Sequence, residues 1–345
     1  MKHVLVIPGD GIGPEVIVPC VRVIREITNG IDFEFVEAGK KAFENYGEAI
    51  SDEILEKARK ADAIFFGATT TVRDPKYRSP ILTLRYELDL YANVRPARAL
   101  LPGMRKIDIT VIRENTEGLY TGREERDLDG VTTFRRVSVK ACERIVKFAF
   151  SWCKQNSRKK IVCVHKSNVL RSSDGLFLDI FNTEATRNKK IASSEMLVDS
   201  TAMKMVMIPE EFDTIVTLNL YGDILSDLAG GMIGGLGFLP SANIGEKRAL
   251  FEPAHGSAPD IAGKGIANPF AALLSGKMML EYLGFKKEAQ SLSIAIDKTI
   301  AGGPSIIDAE GRCLTKAVID SVKTNVNDVA SSLKTAKSRS QSNKD

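Results

Sequence analysis

Short apolar runs alternate with segments of helical periodicity along most of the chain. The first run, residues 4–8, ends at Gly9-Asp10-Gly11. Pro14 then suits the first turn of a helix that carries Ile17, Cys20, Val21, Ile24 and Ile27 at helical spacing. Further strands are expected at 31–38, 63–67, 107–113, 160–165, 195–199 and 214–220. Helices are expected at 52–60, 80–91, 142–153, 225–233, 269–283 and 286–301. This alternation predicts an α/β fold with a largely parallel sheet. Residues 123–140 are charged and then β-branched, without helical periodicity, and predict a protruding β-arm. Residues 334–345 are rich in Ser and Lys and predict a disordered tail.

The 345 residues suggest two domains, at ~100–200 residues each. The balance of 48 basic against 44 acidic residues gives no bulk attraction for nucleic acid. No apolar run approaches the ~20 residues of a membrane span. The start of the chain lacks the long apolar stretch of an export signal, so a cytoplasmic location is expected. Five widely spaced cysteines without a C-x-x-C pair read as reduced thiols. With only three histidines, any metal is expected to have oxygen ligands, which points to Mg²⁺ or Mn²⁺.

The Gly9–Gly13 segment is not a dinucleotide fingerprint, because Pro14 stands where the third glycine belongs. It is either a tight strand-to-helix turn or a loop that touches a ligand. Asp223 and Asp227 lie four apart, on one helix face. They are either caps complementing a helix dipole or ligands for a divalent cation, with Asp199 a third carboxylate just after a strand. Arg85, Arg95 and Arg113 are either solvated or ion-paired, or they recognise carboxylates. Lys166 closes an apolar strand and could exchange a proton. Tyr120 is a packed tyrosine or a proton donor.

Taken together, these segments resemble the β-decarboxylating dehydrogenase family of isocitrate, homoisocitrate and 3-isopropylmalate dehydrogenases. The resemblance rests on Gly9-Asp10-Gly11-Ile12-Gly13-Pro14-Glu15, Leu84-Arg85 to Arg95-Pro96, and Arg113-Glu114-Asn115-Thr116-Glu117-Gly118-Leu119-Tyr120. It rests also on His165-Lys166-Ser167-Asn168-Val169-Leu170 and on the long runs 219–238 and 251–269. It implies a two-domain α/β fold distinct from the Rossmann fold. The large cofactor domain would combine 1–97 with 235–333, and the small domain would be 98–234 with a dimer arm at about 123–140. It implies a homodimer or higher homo-oligomer whose active site is shared between subunits.

The resemblance also implies roles. Arg85, Arg95 and Arg113 would bind a malate-type di- or tricarboxylate. Asp199, Asp223 and Asp227 would hold Mg²⁺ or Mn²⁺, with Asp199 from the other subunit. Lys166, also from across the dimer, would take the hydroxyl proton, and Tyr120 would protonate the enolate. His255, Gly256, Ser257, Ala258, Asp260, Ile261 and Asn268 would form the adenosine loop. A carboxylate at Asp260 would bind both ribose hydroxyls and repel a 2′-phosphate, so NAD is expected. NADP-using relatives carry Lys-Tyr where Asp260-Ile261 stand here. Arg78 and Ser79 resemble the isocitrate enzymes, which carry Asn where Ile81 stands. Isopropylmalate enzymes place Leu-Leu at Ile81-Leu82 without the Arg-Ser, and archaeal-type homoisocitrate enzymes share a similar basic-Ser-Pro-Ile-Ile-Thr-Leu-Arg run. The expected substrate is homoisocitrate or isocitrate. The alternatives are 3-isopropylmalate, or a non-catalytic regulatory subunit of the same fold.

Overall fold

The computed structural model describes the backbone of residues 1–303 and 313–342, with side chains over 1–303 and 313–329. The tail expected at 334–345 lies outside the fully described residues. The chain begins β1 (Lys2–Gly9), α1 (Gly13–Ile27), β2 (Ile31–Phe35), α2 (Lys40–Tyr46), α3 (Asp52–Lys60), β3 (Ala63–Ala68), α4 (Pro80–Glu87), β4 (Ala92–Arg98) and β5 (Asp108–Glu114). It continues β6 (Glu124–Arg126), β7 (Val131–Thr133), α5 (Val139–Gln155), β8 (Lys160–His165), α6 (Arg171–Arg187), β9 (Ala192–Leu197), α7 (Val198–Met207), β10 (Thr214–Thr217) and α8 (Asn219–Met232). The last elements are β11 (Pro240–Ile244), β12 (Ala249–Pro253), α9 (Phe270–Tyr282), α10 (Lys286–Ala301) and α11 (Thr315–Ser342).

The chain divides into two units. The first comprises Met1–Ile81, Leu100–Gly103 and Leu250–Asp345. Its strands lie in the order β2-β1-β3-β12, all parallel. β1 pairs in parallel on both edges, and Val4, Leu5, Val6 and Ile7 are all buried rather than alternating, the pattern of a parallel sheet covered on both faces. α1 turns Val16, Ile17, Cys20, Val21 and Ile24 inward. α3 is set by its ends: Ser51 Oγ accepts from the Ile54 N–H at 3.4 Å, acidic residues open the helix and basic ones close it.

The second unit comprises Leu82–Ala99 and Met104–Ala249. Its sheet has the order β11-β4-β5-β10-β8-β9. β5, β10, β8 and β9 run parallel, but β4 is antiparallel to both β5 and β11. The sheet is therefore mixed, and β4 is the strand that departs from the expected, largely parallel pairing. No helix lies between β4 and β5, and antiparallel neighbours need none. β4 pairs along its whole length with β5, which places residues 82–99 in this unit, as 240–249 follow through β11. α5 and α6 cover the sheet with Cys142, Ile145, Val146, Phe150, Phe177 and Phe181 against Ile112, Ile161, Cys163 and Val216. Each fully buried large apolar side chain in such a cluster contributes roughly 1.5–3 kcal/mol. β6 and β7 form a separate hairpin, exposed on both strands.

Of the boundaries that move from their expected places, two matter for the site. The strand expected at 214–220 ends at Thr217, and α8 begins at Asn219 rather than at residue 225. The strand expected at 195–199 ends at Leu197, so Asp199 lies in the first turn of α7.

Candidate active site

The register of β4 against β5 pairs Asn93 with Arg113, so Arg95, two residues along, projects from the same sheet face as Arg113. α8 lies over β5. It comes close because Gly222 faces Arg113, where a Cβ would stand 2.6 Å from Arg113 Cβ. Arg113 is only 1% exposed. A charge buried that deeply needs partners. Asn219 Oδ1 accepts from Arg113 Nε at 2.9 Å and Nη2 at 2.7 Å, and Nη1 donates to Asp223 Oδ1.

Arg95 is also buried. Its Nη1 reaches Ser226 Oγ at 2.8 Å, Asp227 Oδ1 at 3.2 Å and Asp223 Oδ1 at 3.4 Å. Arg85, in the last turn of α4, is buried rather than on a solvated face, and its charge acts on both Arg113 and Asp223. Three arginines thus converge on one carboxylate pair. Asp223 and Asp227 lie beyond the first turn of α8, which holds no acidic residue. They are not caps.

Tyr120 donates its hydroxyl to Asp223 Oδ2, and the Arg113 guanidinium carbon lies 4.9 Å from its ring centroid. The turn carrying Tyr120 is fixed from below. Asn219 Nδ2 donates to the Glu117 carbonyl at 2.9 Å, and the Glu117 carboxylate accepts from Ser138 N–H at 2.8 Å and Ser138 Oγ at 2.6 Å. Burial pushes the Tyr120 phenol up, with Arg113 opposing and Asp223 adding to it. Burial opposes ionisation of Asp223, but Arg113, the Tyr120 hydroxyl, Arg95 and Arg85 outweigh it and hold the carboxyl below its ordinary range. Asp227 moves the other way: burial raises it, and Asp223 adds to the rise against Arg95 and Arg113. Burial, with Arg95 and Arg85 nearby, lowers Arg113 to about 10.

Lys166 follows β8. Its Nζ donates to Asp199 Oδ1 at 2.5 Å, and its N–H donates to the buried Asp174 at 2.7 Å. The Lys166 hydrogen bond holds the Asp199 carboxyl below its ordinary range. Asp223 and Asp227 are brought together, but among the described residues no three His, Cys, Asp or Glu side chains are grouped to hold a metal ion. Asp199 therefore does not complete the set within one chain.

The remaining predicted residues lie in the first unit. Arg78 is exposed and Ser79 half-buried, just before α4. His255 Nδ1 lies 3.0 Å from the Gly256 carbonyl oxygen, and burial lowers its imidazole pKa against that hydrogen bond. Thr70 Oγ1 donates to Ser257 Oγ at 2.8 Å. Ala258 takes a positive φ of 36°. Asp260 is exposed, Ile261 half-buried, and Asn268 Oδ1 accepts from the Phe270 N–H at 3.0 Å. Sequence reasoning missed Asn219, Gly222 and Ser226 as site residues. Their only signal was membership of the 219–227 run, in which the two aspartates drew the attention.

Residues 3–338 match the isocitrate/isopropylmalate dehydrogenase family. The chain belongs to that family and is an enzyme of the dehydrogenase class. It is 46% identical over 340 residues to a homoisocitrate dehydrogenase of Methanocaldococcus jannaschii, covering 93% of this chain and 97% of that one. It is 48% identical over 326 residues to an isocitrate/homoisocitrate dehydrogenase of Thermus thermophilus, with the same two coverages. The crystal structure of an isocitrate dehydrogenase from Methylococcus capsulatus superposes with a TM-score of 0.91 at 41% identity, covering 94% of this chain and 99% of that one. The fold is that of these dehydrogenases. Among the described residues no helix is long and apolar enough to cross a membrane.

Proposed function

We propose that the chain catalyses NAD-dependent oxidative decarboxylation of a 3-substituted malate with Mg²⁺ or Mn²⁺, preferring homoisocitrate or isocitrate over 3-isopropylmalate. The observation that carries this reading is the convergence of Arg85, Arg95 and Arg113 beside Asp223, Asp227 and Tyr120. Guanidinium groups held by buried neighbours suit the carboxylates of such a substrate. A regulatory subunit without activity has no use for this complete set.

Asp223 and Asp227 fit a divalent cation. They supply only oxygen donors, and the rise of Asp227 under burial and the Asp223 charge is what a bound cation relieves. The third carboxylate, Asp199, comes with Lys166 from a second copy of the chain. The hairpin of β6 and β7 is exposed on both strands, and a two-stranded ribbon is marginal until something packs on it. That supports its use as a dimer arm.

When bound, the metal would supply Lewis acidity to the C2 oxygen and the nicotinamide would accept the hydride. Lys166, acting as the free amine, takes the C2 hydroxyl proton, and Asp199 at 2.5 Å holds the resulting ammonium. Arg85, Arg95 and Arg113 fix the carboxylates, so the leaving carboxylate is oriented for loss as CO₂. Tyr120, kept protonated at neutral pH by its raised pKa, protonates the enolate carbon. The exposed carboxylate of Asp260 supports NAD over NADP. Arg78 and Ser79 before α4, and relatives named for homoisocitrate and isocitrate, support a substrate with a third carboxylate. The buried cysteines fit a reducing compartment, and we place the enzyme in the cytoplasm.

NADH formation with Mg²⁺ or Mn²⁺ on homoisocitrate, isocitrate and 3-isopropylmalate, run in parallel, tests this reading. Turnover of none contradicts the activity, and turnover of 3-isopropylmalate alone contradicts the tricarboxylate preference.

A further inference from the structure

The turn from Gly9 to Glu15 faces another stretch of its own chain. The Ile12 N–H donates to the Ser257 carbonyl at 2.9 Å. Gly11 holds a φ of +58°, and a Cβ there would stand 1.9 Å from the Ser257 oxygen. From the first turn of α1, Glu15 reaches the far end of the same loop. Its Oε2 accepts from the Gly263 N–H at 3.1 Å and its Oε1 from the Ala267 N–H at 3.4 Å. Thr315 Oγ1 lies 3.0 Å from Glu15 Oε1 and 2.6 Å from the Ala267 carbonyl, and donates to one at a time. The Thr315 N–H donates to the Gly265 carbonyl at 3.0 Å.

Residues 254–269 form no helix or strand. They have no ladder of their own to hold them, so the shape of the loop depends on such side-chain anchors. One carboxylate that accepts from two loop amides is a strong anchor, because hydrogen bonds to a charged group are stronger than neutral ones. The Gly9–Glu15 motif thus grips the loop at Ser257 and again at 263–267, on either side of Asp260.

We propose that Glu15 is a positioning residue for cofactor recognition. By tying Gly263 and Ala267 it holds the 255–261 segment and Asn268 in the shape that receives the adenosine end of NAD. This rests on the reading of that loop as the cofactor loop. The Glu15 carboxylate is taken up by the Gly263 and Ala267 amides and the Thr315 hydroxyl, so its effect falls on cofactor affinity and leaves the chemical step alone.

Glu15→Ala, Glu15→Gln and Asp260→Ala in the full chain test this. Calorimetric titration with NADH gives Kd, steady-state kinetics give kcat and both KM values, and hydrogen exchange follows the Gly263 and Ala267 amides. Glu15→Ala is expected to raise the NADH Kd and the NAD KM about tenfold or more, with kcat within about twofold and the hydroxy-acid KM unchanged. Both amides exchange faster. Glu15→Gln, which keeps the Oε1 acceptor, falls between and reports on its own if the alanine variant does not fold. Faster exchange with an unchanged NADH Kd in either variant overturns the proposal, as does an equal loss in kcat and both KM values. Asp260→Ala judges the loop separately. An unchanged NADH Kd in that variant removes the cofactor loop itself, and the role of Glu15 with it.

Discussion

Asn219 accepts two hydrogen bonds from the Arg113 guanidinium, at 2.9 Å from Nε and 2.7 Å from Nη2. The same amide donates to the Glu117 carbonyl, so one side chain fixes both the Arg113 guanidinium and the turn that carries Tyr120. Asn219→Ala leaves two donors of an arginine only 1% exposed without their acceptor. It is expected to cost roughly 1–3 kcal/mol of stability. Thermal or urea unfolding measures this. The hydroxy-acid KM should rise as well, because Arg113 loses its fixed orientation.

Asp227 is raised by burial and by Asp223, so the folded protein favours its protonated form. A carboxyl whose folded pKa exceeds its unfolded one adds stability below the unfolded value and loses it as pH rises through the folded value. At neutral pH, without metal, ionised Asp227 is therefore destabilising. Asp227→Asn should raise the melting temperature of the metal-free protein at pH 7, with the difference vanishing below the ordinary carboxylate range. The same variant should lose stabilisation by Mn²⁺. A lower melting temperature at pH 7 would contradict the raised Asp227 carboxyl.

Asp260→Lys with Ile261→Tyr should change cofactor preference. The ratio of kcat/KM for NADP to that for NAD should rise by at least about tenfold, since a cation replaces an anion at the 2′ position. An unchanged ratio would move ribose recognition elsewhere.

Lys166 and Asp199 form one pair, and Asp223 and Asp227 another, and among the described residues no third carboxylate joins either pair to complete a metal site in one chain. If a second copy supplies the first pair, Lys166→Met and Tyr120→Phe chains should complement each other. Each variant alone is nearly inactive. Co-refolded in equal amounts, random dimers should recover about a quarter of the parent activity, because half are hybrids with one intact site of two. No recovery would place the site within a single chain.

The elements that the sequence made legible are those with a clean apolar face or strong ends. Asp52–Lys60, Lys160–His165 and Lys286–Ala301 match their expected bounds. α7 was not legible because Met203, Val206 and Met207 point outward and give no inward stripe. α6 buries only Asp174, Phe177 and Phe181 within its seventeen residues. β4 carries Pro96 and two arginines, which argue against a strand with neighbours on both sides. In the site, the charged residues announced themselves by type. Asn219, Gly222 and Ser226 did not, because their roles exist only once α8 packs on β5 and meets Arg113 and Arg95.

The central chemical claim is that oxidation and decarboxylation are coupled on a tricarboxylate. The direct measurement is NADH and CO₂ released together from homoisocitrate or isocitrate, with Mg²⁺ or Mn²⁺ present. One CO₂ per NADH is predicted, with both lost in Arg113→Gln. NADH without CO₂, or no NADH from either substrate, would contradict it.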